Sequence, residues 1–209
     1  MIRQEIIAAA RLFNETGLSA GTSGNISVLM EGFFLITPSG IPYQDLVPED
    51  IVEMDTEGVV ISGARQPSSE WHFHRQIYIS RMDANAVVHV HSPYATAIAC
   101  TRQPIPAFHY QVAKIGGENI RCADYATFGT EELAINAITA LEDRLACLLS
   151  NHGMIAVGTE LKSALKTAQE VEELARQYYL SKQLGNPVIL DEDEMQLNIE
   201  KFRSYGKFE

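Results

Sequence analysis

Four of the six histidines of this chain stand in one short run, "SEWHFHRQIYISRMDANAVVHVHSP" (Ser69 to Pro93), as two His-x-His pairs. Imidazole ligates divalent metals and carries protons near neutral pH, so the spacing decides what each pair can do. On a strand, residues i and i+2 point to the same face. His89 and His91 lie in the β-branched stretch "VVHVH", so both rings face one way and can share an ion. On a helix, the same separation places side chains about 200° apart. His72 and His74 lie in the helical pattern "SEWHFHRQIYISR", so they diverge and cannot chelate together. As an isolated pair, His89 and His91 are open to two readings, metal ligation and a buried, hydrogen-bonded role. His72 reads as a partly exposed surface residue, and His74 as a member of a structural hydrogen bond.

A metal site needs further ligands. His152, in "LLSNHGMIAVG", ends an apolar strand and precedes a glycine, a usual place for a site residue. Glu70 opens the helix that leads toward the His89 strand; alone it would be a first-turn acid complementing the helix dipole. Together, Glu70, His89, His91 and His152 are the donor set of a catalytic zinc ion, with a fourth position that can be vacated. Three loops have a different character: "GTSGN" (Gly21 to Asn25), "TPSG" (Thr37 to Gly40) and "PSSE" (Pro67 to Glu70). Each is open to reading as a plain turn or as a cradle of backbone N–H groups and hydroxyls suited to phosphate. None contains Lys or Arg, so any phosphate there is held by neutral donors.

The elements that must position these residues follow from periodicity. Ile6, Ile7, Ala10 and Phe13 recur at helical spacing, with Gly17 as a stop. "NISVLMEGFFLITP" and "DIVEMDTEGVVIS" each read as two strands about a Glu-Gly turn. "ANAVVHVH" has period two, and Ser92-Pro93 opens a helix, with Ser92 able to cap it. "TEELAINAITALED" is a helix with Thr130 as cap, and "RLACLLSNHGMIAVG" is strand, turn, strand. Helical spacing returns from Leu161 to Leu184 and ends at Gly185-Asn186-Pro187, and the acidic "LDEDE" reads as a solvated face. The fold class expected is α/β: a mostly antiparallel central sheet with helices packed on it, as a single domain over residues 1–209. No Gly-x-Gly-x-x-Gly follows a strand, so a dinucleotide site is not indicated.

The formal net charge of -11 and the pI of about 5.0 argue against nucleic acid or an anionic membrane as partner. The odd number of cysteines, three, with no Cys-x-x-Cys, suits a reducing cytoplasm better than a disulfide framework. The charged amphipathic start "MIRQEIIAAARLFNETG" is unlike a signal peptide, and no apolar run is long enough to span a bilayer.

In this order, "GTSGNIS", "ITPSGIPY", "PSSEWHFH", "DANAVVHVHSPYATA", "PAFHY", "YATFGT" and "NHGMIAVG" resemble the class II aldolase/adducin family, over nearly the whole chain through "KFRSYG". The resemblance implies a zinc enzyme, with a single ion in each subunit. It would cleave a ketose 1-phosphate, such as L-fuculose 1-phosphate, to dihydroxyacetone phosphate and an aldehyde such as L-lactaldehyde. Glu70, His89, His91 and His152 match the family's metal-site residues, and Glu70 doubles as the catalytic base when substrate displaces it. Thr22, Asn25, Ser39, Gly40, Ser68 and Ser69 match positions that hold the phosphate. Tyr110 matches a catalytic tyrosine contributed by a neighbouring subunit, and Phe128 and Tyr205 match positions lining the aldehyde end. The resemblance further implies a homotetramer with sites at its subunit interfaces. Relatives include 4-epimerases, dehydratases and decarboxylases of phosphorylated sugars; the epimerases carry Asp where Glu70 stands, so Glu70 and the "FHY" context of Tyr110 favour an aldolase. The non-enzymatic adducin head implies loss of metal ligands, whereas all four are present here.

Overall fold

The computed structural model describes residues 1–204; Tyr205 lies outside the described residues. The elements in chain order are α1 (Ile2–Thr16), β1 (Asn25–Leu29), β2 (Phe33–Ile36), β3 (Val52–Asp55), β4 (Val60–Ser62), α2 (Trp71–Ser80), β5 (Ala86–Val90), α3 (Pro93–Ala99), β6 (Cys122–Ala123), α4 (Glu131–Leu141), β7 (Ala146–Leu149), β8 (Gly153–Gly158), α5 (Leu161–Leu184) and α6 (Glu192–Ser204). The strands form one sheet in the order β4-β3-β2-β1-β5-β8-β7-β6. Every pairing is antiparallel except β6 with β7.

Strand alternation sends successive residues to opposite faces, and two cores result. Ile26, Val28, Val88 and Val90 pack under α1, α3 and α5. Val87, Cys147, Leu149 and Ile155 pack on the other face, with Phe73 and Ile77 of α2 and Leu133 and Ala137 of α4. The architecture is therefore an α/β sandwich of three layers, as the hairpin-rich pattern anticipates. The α1 helix stops at Gly17, whose φ of 75° is the left-handed conformation that ends helices. Thr130 caps α4, its hydroxyl accepting from the Leu133 N–H at 3.3 Å.

One local expectation gives way to a long-range contact. Ser92 stands at the N-cap of α3, but its buried hydroxyl makes no cap bond. The Glu172 carboxylate, reaching across from α5, accepts from the N–H groups of Tyr94 and Ala95 instead, at 2.9 Å each. A charged acceptor is roughly twice as strong as a neutral hydroxyl there, which explains the replacement. The "LDEDE" acids are exposed, as a solvated face should be, yet they also open α6, where their charge complements the helix N-terminus. Met195 and Ile199 anchor that helix in the core.

The antiparallel register fixes where chemistry can occur. Asn25, at the start of β1, lies opposite His89 near the end of β5, and His89 lies opposite Ile155 near the start of β8. The end of β2 and the Pro67–Glu70 loop meet at the same edge, through the bridge between Pro38 and Pro67. One end of the sheet thus collects the histidines, Glu70 and all three small-residue loops.

Candidate metal centre

His89 sits in the central strand β5, wholly buried, and its ring contacts Phe73 of α2. Its Nδ1 lies 2.9 Å from the carbonyl oxygen of Met154. A carbonyl only accepts, so Nδ1 carries the proton and Nε2 presents a bare lone pair in the neutral ring. That Nε2 faces His91 Nε2 at 3.0 Å and Glu70 Oε2 at 3.2 Å. His91, just beyond the strand end, shares the face of His89, as the two-residue spacing requires. His152 comes from the turn between β7 and β8, and its Nε2 lies 3.1 Å from Glu70 Oε1. That turn depends on Asn151 in the left-handed conformation, φ 54°, whose N–H donates to the Ala99 carbonyl. Two glycines let the backbones close up: a Cβ at Gly153 would stand 2.5 Å from the Val90 oxygen, and one at Gly24 2.6 Å from the His89 oxygen.

Glu70 occupies the N-cap of α2 but makes no cap hydrogen bond. Its carboxylate turns away from the helix, inward to the histidines. Oε2 accepts from Asn25 Nδ2 at 3.0 Å, and Asn25 Nδ2 also donates to Ser68 Oγ at 2.9 Å. Burial pushes the Glu70 carboxyl up, while positive charge shared with the His89 and His152 side of the cluster pulls it well below the usual carboxylate range. Burial, together with repulsion from the other two rings, lowers the His91 imidazole to about 4.

The four donor atoms lie within 4.8 Å of one another. Three of the contacts among these ring nitrogens and carboxylate oxygens span 3.0 to 3.2 Å, which places electron pairs against electron pairs unless a cation sits between them. Glu70 Oε1 is buried with no hydrogen-bond partner, as expected of an atom whose partner is an ion. The spacing also fits: tetrahedral zinc with bonds of about 2.0–2.1 Å sets its ligand atoms about 3.3 Å apart. The cluster can coordinate a divalent metal.

The other anticipated residues are distributed unevenly. Asn25 and Ser68 are buried beside Glu70, and Ser69, Thr22, Ser39 and Gly40 are exposed around the same sheet end. A cleft of about 260 Å³ opens over Glu70, His91 and His152, walled by Tyr125, Ala126 and the exposed Phe128. A larger cleft of about 750 Å³ lies elsewhere, between Arg144 and α6, and includes none of the metal-site residues. Tyr110 does not line the smaller cleft; it opens a 3-10 turn, half exposed, and stacks on Phe202 of α6 with ring centroids 6.0 Å apart. His72 stacks on Trp71 away from the cluster, and His74 is buried in hydrogen bonds to Ser27 and Asn25. The Met154 carbonyl and the walls at Tyr125 and Ala126 escaped sequence reasoning; only the alternation of β8 opposite β5 hints at the first.

Comparison with known proteins places this geometry. The family described as "Class II Aldolase and Adducin N-terminal domain" matches residues 4–179. The chain is 53% identical to the 5-methylthioribulose-1-phosphate/5-deoxyribulose-1-phosphate aldolase of Rhodospirillum rubrum, over 98% of this chain and 92% of that one. It is 45% identical to the L-fuculose phosphate aldolase of Escherichia coli K12, over 98% and 95%. A solved L-fuculose 1-phosphate aldolase superposes with a TM-score of 0.93 at 46% identity, over 96% of this chain and 95% of that one. The chain belongs to the class II aldolase/adducin family. Among the described residues, no helix is long and apolar enough to cross a membrane.

Elemental analysis of protein purified without chelator should find about one divalent ion per chain, following the three-histidine pattern. His91→Ala should lose most of it and His72→Ala none. Affinity should weaken as pH falls through about 4, where a proton competes for the His91 ring. Metal-free wild-type protein, or equal retention by both variants, would contradict the assignment.

Proposed function

We infer that this member of the class II aldolase/adducin family is a zinc-dependent aldolase cleaving a ketose 1-phosphate to dihydroxyacetone phosphate and an aldehyde. The observation that carries this reading is the buried carboxylate among three converging imidazole nitrogens, set against loops rich in neutral donors. Zinc held by Glu70, His89, His91 and His152 would supply a Lewis acid for negative charge developing on substrate oxygen. Thr22, Ser39, Gly40, Ser68 and Ser69 offer hydroxyl and backbone donors for the phosphate. Asn25, matched to the phosphate positions by the family pattern, commits both amide hydrogens to Ser68 and Glu70 and so braces that cradle. Asn25 ties the two regions together, since its Nδ2 reaches both Ser68 and Glu70.

In cleavage the bond between the third and fourth substrate carbons breaks. Tyr110, supplied by a neighbouring copy in a homotetramer, relays the proton of the fourth-carbon hydroxyl to solvent as that carbon becomes the aldehyde. The electron pair stays on the third carbon and spreads onto the adjacent carbonyl oxygen. Glu70, which takes up a proton from solvent once substrate has displaced it, then delivers that proton to the third carbon, completing dihydroxyacetone phosphate; in synthesis it removes the same proton. Asn25 donates to Oε2 while Oε1 has no hydrogen-bond partner, so Oε1 is the oxygen suited to carry the proton.

The far end of the substrate faces Tyr125, Ala126 and Phe128, with Tyr205 assigned there by family pattern. This wall suits a terminal methyl rather than a terminal hydroxyl. The relatives' names agree: L-fuculose, 5-deoxyribulose and 5-methylthioribulose phosphates all lack the terminal hydroxyl. The proposed substrate is such a terminal-deoxy ketose 1-phosphate, L-fuculose 1-phosphate or the shorter 5-deoxyribulose 1-phosphate.

A kinetic panel of ketose 1-phosphates tests the reading. Substrates ending in methyl should exceed their hydroxylated counterparts in kcat/KM by about 10-fold or more, the range of a single small group in an apolar pocket. Failure of every ketose 1-phosphate to yield dihydroxyacetone phosphate would refute the aldolase; equal rates across the panel would refute the apolar wall.

The shared site has its own test. Inactive Glu70→Gln and Tyr110→Phe oligomers, unfolded and refolded together in equal amounts, should recover about a quarter of wild-type activity, because about one site in four pairs two intact groups in a ring. Verified hybrids as inactive as their parents would place Tyr110 within its own subunit or outside catalysis.

A further inference from the structure

A line of buried polar side chains leads away from Glu70 into the layer under α2, among Phe34, Phe73 and Ile77. Asn25, Ser27 and His74 are at most 3% exposed and Tyr78 7%, so none relies on water for partners. The chemistry of each group fixes the direction of the hydrogen bonds. The Glu70 carboxylate accepts only, so the Asn25 atom 3.0 Å from Oε2 is the amide nitrogen. Asn25 Oδ1 therefore faces His74 Nε2, at 2.5 Å, and an amide oxygen only accepts. His74 Nε2 must carry the proton, which leaves Nδ1 of the neutral ring as an acceptor. Ser27 Oγ, 2.6 Å away, donates to it, and Tyr78 Oη, 2.6 Å from Ser27, donates in turn. Every donor in the line points toward the carboxylate.

We propose that His74 is a positioning residue for the metal centre: its Nε2–H locks the Asn25 amide with Nδ2 toward Glu70 and Ser68. Rotating that amide by half a turn would put Oδ1 against the carboxylate, acceptor against acceptor. It would also leave two buried donors, His74 Nε2–H and Asn25 Nδ2–H, facing each other. The lock prevents this, holding Oε2 and leaving Oε1 open to a proton. The catalytic consequence rests on the aldolase reading; the effect on metal affinity does not.

The test compares His74→Gln with His74→Asn. A glutamine amide nitrogen reaches the place of imidazole Nε2 and keeps the donor to Asn25; an asparagine amide reaches only the place of Nδ1 and keeps the contact with Ser27. Zinc affinity is read by chelator competition, thermal stability by melting, and catalysis by exchange of dihydroxyacetone phosphate protons with solvent. At similar Tm, His74→Asn should bind zinc about 10–100-fold more weakly than wild type, while His74→Gln stays within about threefold. Losses that track Tm, with Gln no better than Asn, would reduce His74 to a packing residue and overturn the proposal. Nitrogen NMR of the wild-type protein decides the matter even where neither variant folds. The Nε2–H tautomer at His74 supports the lock, and an Nδ1–H tautomer or an imidazolium at neutral pH overturns it. A wild type that binds zinc but exchanges no protons defeats the aldolase reading and leaves the affinity comparison intact.

Discussion

A carboxylate cannot be buried beside three imidazole lone pairs without a compensating positive charge. Glu70 is 7% exposed and lies 3.2 Å from His89 Nε2 and 3.1 Å from His152 Nε2. Desolvation of the ion would cost several kcal/mol, and among the described residues no Lys or Arg is paired with it. The rest of the site is arranged around this constraint. The Met154 carbonyl sets the His89 tautomer so that Nε2 faces inward, and Asn25 supplies one hydrogen bond to Oε2. The common focus of the four donors is where a cation would supply the compensating charge.

The sheet converts that local demand into a place. Antiparallel pairing brings the start of β1, the end of β5 and the start of β8 to one edge, so donors from residues 25, 70, 89, 91 and 152 meet although the chain passes through both core layers between them. Alternation then assigns sides: His89 shares its face with Ser27, His74 and Tyr78 in the layer under α2, while Val88 and Val90 fill the opposite core. A polar hydrogen-bonded line runs through an otherwise apolar layer, each member partnered, and this gives the metal centre a rigid support.

Much of this is legible in the sequence because its rules are local. Period two in "VVHVH" puts His89 and His91 on one face, period 3.6 separates His72 from His74, and the Glu-Gly turns announce the hairpins. The metal ligands other than that pair become visible only as a set, since nothing short-range links Glu70 to His152. The parts that cannot be read locally depend on partners far along the chain. Glu172 caps α3 in place of Ser92, and the Met154 carbonyl orients His89 from 65 residues away. The opening of α6 by "LDEDE" is hidden for a related reason: the acids announce solvent, while the anchors Met195 and Ile199 lie one turn on.

The central claim is that Glu70 carries the proton at this centre as well as helping to hold the ion. Exchange of a hydroxymethyl proton of dihydroxyacetone phosphate with solvent deuterium, followed by proton NMR, isolates that step from binding of the aldehyde and from carbon–carbon chemistry. It should be measured on wild type and Glu70→Gln brought to equal zinc content. The wild-type protein is expected to exchange, and the variant to lose about 10²–10⁴-fold, the contribution of a general base. Near-normal exchange in a folded, zinc-matched Glu70→Gln protein would contradict the account.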